Sequence, residues 1–60
     1  MTRTRAIEAA ERMARKHNRR FYVVYDPSTS DDELDNCYEY GDDHAVETFW
    51  EGIEPIYATD

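Results

Sequence analysis

The chain has a single cysteine, Cys37, in sixty residues. One thiol excludes an internal disulfide and every paired-cysteine zinc motif, and it suits a reducing compartment. No apolar stretch approaches the roughly 20 residues needed to cross a bilayer. The arginines near the start are followed by no apolar core, so they do not read as a secretory signal. A cytoplasmic chain is expected. Sixty residues suffice for one domain, 1–60, and a domain this short buries only about 60% of the surface its unfolded chain exposes. With no disulfide or metal as a staple, its stability is expected to be marginal.

Positive charge is also missing, over most of the length. All seven basic residues, Arg3, Arg5, Arg12, Arg15, Lys16, Arg19 and Arg20, lie in the first twenty positions. Glu8 and Glu11 oppose them, so residues 1–20 carry +5, whereas residues 21–60 hold twelve carboxylates and no Lys or Arg. The net charge is −7. Such asymmetry between halves points to interaction. An aromatic share of 13% argues against wholesale disorder.

The densest apolar run is Phe21-Tyr22-Val23-Val24-Tyr25, every residue of which favours a pleated strand. The spacing predicts a central strand over 20–26, with Phe21, Val23 and Tyr25 on one face and Tyr22 and Val24 on the other. Before it, Ala6, Ile7, Ala10, Met13, Ala14 and His17 form one stripe of a 3.6-residue repeat, predicting an amphipathic helix over 4–17. Thr4 is the expected cap and Thr2 the alternative. Glu8 with Arg12 and Glu11 with Arg15 have i, i+4 spacing in the favourable order. Asn18 suits the left-handed stop.

After Pro27 the polar, acidic residues 28–36 read as a loop, with Ser30-Asp31-Asp32-Glu33 matching a capping box. Ser28, Thr29 and Ser30 each have an acid three places on, as acidophilic kinases prefer, but such matches are frequent by chance and ordinary turn formers account for these residues better. A second strand is expected over 37–40, closed by Gly41, with Tyr38 and Tyr40 facing the aromatic side of the first strand. A short helix follows over 42–51, capped by Asp42 or Asp43 and ended by Gly52. A third strand, 53–59, carries Pro55 and therefore lies at an edge. The expected fold class is α+β: an N-terminal amphipathic helix packed on a small three-stranded antiparallel sheet. Its core should join Ile7, Ala10, Met13 and Ala14 to Phe21, Val23 and Tyr25, with Phe49 closing one end.

Catalysis needs an assembled nucleophile or acid–base pair, and Cys37, His17 and His44 are not brought together by any spacing. No enzyme activity is expected. The carboxylates of Asp31, Asp32, Glu33 and Asp35 lack the glycine and ligand spacing of a calcium loop, and Asp42-Asp43-His44 is a bare triplet, so no metal or cofactor is expected. Arg5, Arg12, Arg15, Lys16, Arg19 and Arg20 form a basic patch that could meet phosphates. The acidity of the whole argues against nucleic acid, and pairing with the chain's own carboxylates is the simpler fate. The acidic half suggests either a solvated face or a mimic of nucleic acid that occupies a DNA- or RNA-binding protein.

The aromatics exceed what a core this small can hold, so protein binding is the leading reading. The expected contact residues are Tyr22, Tyr38, Tyr40, Asp42, Asp43, Trp50, Glu51 and Tyr57. A monomer or homodimer is expected, without membrane attachment. In its Ala-rich helix, its FYVVYD strand and the YEYGDDHAVETFWEG segment before the last strand, the chain resembles small acidic accessory proteins of bacteriophages and prophages. That resemblance implies a protein that binds a host or phage protein and modulates or inhibits it.

Overall fold

The first helix, α1, spans Arg3–His17 in the computed structural model, which describes residues 1–26 and 37–59. The loop at 28–36, with its capping box, its kinase-like pattern and its carboxylate cluster, lies outside the described residues. Thr2, not Thr4, caps α1. Its backbone is extended, its hydroxyl oxygen accepts from the Arg5 amide at 3.2 Å, and its carbonyl accepts from Ala6 at 2.9 Å. The helix stops where Asn18 turns left-handed at φ 53° and its amide donates to the Ala14 carbonyl. Arg15, Lys16 and His17 fill the last turn, where positive charge suits the helix dipole.

Three alanines, Ala6, Ala9 and Ala10, form the buried face of α1, which lets its backbone sit close to the sheet. Ile7, Met13 and Ala14 pack around them, half-buried. Ala9 lies outside the predicted stripe yet is buried. His17, at the stripe's end, is exposed, although its ring stacks on Phe21 with centroids 6.1 Å apart.

The sheet has three antiparallel strands: β1 (Phe21–Tyr25), β2 (Tyr38–Asp42) and β3 (Tyr57–Ala58), in the order β2-β1-β3. The run with two apolar faces is thus the central strand, as its pattern requires. Tyr25 stands opposite Tyr38, and Val23 opposite Tyr40. The aromatic faces meet as expected, with ring centroids 5.1 Å apart for Tyr25–Tyr38 and 6.4 Å for Phe21–Tyr40. Phe21 and Val23 are buried against α1, but Tyr25, expected in the core, is 37% exposed at the strand's end.

Most boundaries differ from the sequence reading by a residue or two, and the changes in β2 and β3 have identifiable reasons. β2 runs through Gly41, because glycine there leaves room for what packs above it. β3 shrinks to two residues. The Ile53 amide turns back to the Trp50 carbonyl at 2.9 Å, Pro55 has no amide to give, and pairing resumes only at Ile56, which donates to Val23 at 2.8 Å.

The second helix, α2, is Asp43–Thr48, shorter than the expected 42–51. Asp42 caps it, its carboxylate accepting from the Ala45 amide at 3.1 Å. α2 does not close the α1 core. Tyr40 faces α1, so strand alternation sends Gly41 to the opposite face, where a Cβ would lie 2.7 Å from the Ala45 Cβ and 2.8 Å from the Trp50 ring. Trp50 and Ala45 therefore cover the second face of the sheet, and Trp50 is 7% exposed. Phe49, predicted to close the core, is instead 77% exposed. The amides of Phe49 and Trp50 both donate to the Ala45 carbonyl, at 2.9 and 3.1 Å. That tightened turn folds Trp50 back over Gly41 and leaves Phe49 facing water.

Candidate functional site

The residues expected to meet a partner divide into those the fold consumes and those it leaves outside. Tyr38, Tyr40 and Tyr57 pack half-buried on the α1 core. The Tyr57 hydroxyl donates to the Glu11 carboxylate, tying β3 to α1 and giving Glu11 a partner other than Arg15. Trp50 is buried, so it is not a contact anchor. Asp42 is half-buried and serves as the cap, and Arg19 Nη1 also donates to it at 3.1 Å. Its carboxyl is held below the usual range, chiefly by the Ala45 amide and further by Arg19. Tyr22 is half-buried, and its phenol is pushed up first by its hydrogen bond with Asp43 and then by desolvation. Of the eight, only Asp43 and Glu51 are exposed.

The exposed feature that sequence reasoning misplaced is Phe49. It stands two residues after Glu47 and two before Glu51, both exposed, with Asp43 and Glu54 also exposed on the same stretch. The signal was present in the adjacency of Phe49 and Trp50. Neighbouring residues on a short helix point about 100° apart, so one small sheet face cannot take both rings.

The cations of α1 lie across the sheet from α2. α1 covers the face bearing Phe21, Val23 and Tyr40, and its outward residues Arg5, Arg12, Arg15 and Lys16 are exposed, as are Arg19 and Arg20. Pairing with the chain's own carboxylates was the expected fate. Among the described residues it is realised in one ion pair, Arg19–Asp42. The reason is geometric, because the carboxylates of α2 and the turn after it sit across the sheet from α1. Beside α1 lies a groove of about 360 Å³ lined by Met1, Arg5, Glu8, Ala9 and Arg12.

The groups weighed for catalysis are dispersed. Cys37 is fully buried, whereas His17 and His44 are exposed on different helices. Among the described residues no three His, Cys, Asp or Glu side chains are placed to hold a metal ion. No described helix is long and apolar enough to cross a membrane. Comparisons with protein-family models, with curated proteins and with solved structures found no match.

Proposed function

We propose that this chain is a small acidic protein-binding module whose contact surface is the tip of α2. One observation carries the reading: Phe49 is 77% exposed between two exposed glutamates. A phenylalanine left in water gains about 1.5–3 kcal/mol when a partner buries it. Glu47 and Glu51 suit a partner whose apolar recess has a basic rim, and their charge speeds the encounter. A phage or prophage protein that modulates or inhibits a host protein is the setting suggested by the chain's overall look. The same surface supports a second reading, mimicry of nucleic acid, because Asp43, Glu47, Glu51 and Glu54 are exposed on a half without Lys or Arg.

The test is capture of partners by the wild type, by Phe49→Ala and by Glu47→Lys/Glu51→Lys, followed by competition with oligonucleotide. A partner lost with either variant supports the module, and release by oligonucleotide selects mimicry. Capture that Phe49→Ala leaves unchanged removes the α2 tip as the site.

A further inference from the structure

We propose that the groove beside α1 receives the Phe49 tip of a second copy of this chain, so that copies associate head to tail. The proposal rests on the reading of Phe49 as an anchor and names its partner.

Knob and groove match in three respects. The groove's apolar surface comes mainly from Met1, which is 47% exposed, and Ala9 forms its floor with only 6% exposed. Arg5 and Arg12, one on either side of Ala9 in sequence, are both exposed, and neither has an ion pair among the described residues. A guanidinium lies favourably on the face of an aromatic ring and also pairs with carboxylates. The knob supplies both: the ring of Phe49 and the carboxylates of Glu47 and Glu51. One group opposes the match, since Glu8 also lines the groove.

The topology makes the contact intermolecular. α1 and α2 cover opposite faces of one sheet, so the tip of a chain cannot reach its own groove. Knob and groove are different surfaces, so the contact is heterologous, and each added copy uses one of them and leaves the other open for the next. Each copy carries −7, and this repels at long range. At about 0.15 M salt the screening length is near 8 Å, which damps that repulsion more than it weakens the contact itself.

The experiment is sedimentation over a concentration series at about 0.15 M and about 1 M salt, with variants whose folding is checked by circular dichroism. The wild type should form a ladder of masses that shortens in high salt. Phe49→Ala and Arg5→Glu/Arg12→Glu should each weaken association by about tenfold or more, as loss of an anchor does. Glu8→Gln should strengthen it. The deciding arm mixes Phe49→Ala, which keeps its groove, with Arg5→Glu/Arg12→Glu, which keeps its knob. Neither associates alone, and the mixture should stop at a 1:1 dimer.

A wild type that remains monomeric up to millimolar concentration overturns the proposal. So does a mixture that fails to pair while the wild type associates, and so does nucleic acid bound through Arg5 and Arg12 by a protein that stays monomeric. Phe49-dependent capture of a different protein by a monomeric chain leaves the contact surface standing and removes only the second copy as its occupant.

Discussion

Phe21 and Thr59 hold each other through two hydrogen bonds, 38 residues apart in sequence. The Phe21 amide donates to Thr59 Oγ1 at 2.8 Å, and the Thr59 amide donates to the Phe21 carbonyl at 2.9 Å. Thr59 is 3% exposed, and it is the one buried polar side chain among the described residues. Its hydroxyl does what a backbone carbonyl does in a regular ladder, so β3 stays paired at the point where the strand ends.

Thr59→Val removes that acceptor and leaves the Phe21 amide buried without it, at a cost of about 1–3 kcal/mol. Thr59→Ser keeps the oxygen and should lose less. Urea unfolding of the three proteins checks the order. Equal midpoints for Val and wild type would show that the hydroxyl contributes nothing.

The two adjacent aromatics should behave oppositely. Trp50→Ala opens a void over Gly41 and should cost about 3–5 kcal/mol. Sixty residues have roughly 3–9 kcal/mol in total, so most of the population should unfold. Phe49→Ala should shift stability by no more than about 0.5 kcal/mol, because its ring is already in water. Thermal melts distinguish the two.

Gly41→Ala brings a methyl to within 2.7 Å of the Ala45 Cβ and 2.8 Å of the indole, and both lie on elements that the strand itself anchors. Overpacking of this kind costs about 1–3 kcal/mol. A melt at the wild-type temperature would mean that α2 lifts off the sheet freely.

Asp42 makes stability pH-dependent in a definite direction. Its folded-state pKa is lowered, first by the Ala45 amide and then by Arg19. Its charged form therefore stabilises the fold above the unfolded value, about 3.9, and that contribution is lost as pH falls through the lower folded value. Asp42→Asn keeps a capping oxygen but has no such titration. The wild type should melt higher than Asp42→Asn near neutral pH, and the gap should close in acid. A gap independent of pH would show that the charge is immaterial.

Cys37 is fully buried, so a thiol reagent should label the native protein only as fast as the domain opens. Labelling at the rate of a free thiol would place Cys37 at the surface.

Local pattern by itself determined most of the architecture. The 3.6-residue stripe made α1, the β-branched and aromatic run made a central β1, Asp42 capped α2, and Pro55 kept the last strand short and at an edge. These features act within a few residues, through backbone conformation, hydrogen-bond donors and side-chain period, so neighbours in sequence suffice to settle them. Which aromatic points inward is a different kind of question. Trp50 is buried and Phe49 exposed because Gly41, nine residues before Trp50 and on another element, leaves room for the indole against the sheet. Likewise, charge counting placed +5 and −12 in one small chain and made mutual neutralisation the natural expectation. Tertiary structure set α1 and α2 on opposite faces of one sheet, so among the described residues the cations of α1 are held apart from the carboxylates of α2, and only Arg19, beyond the end of α1, reaches Asp42.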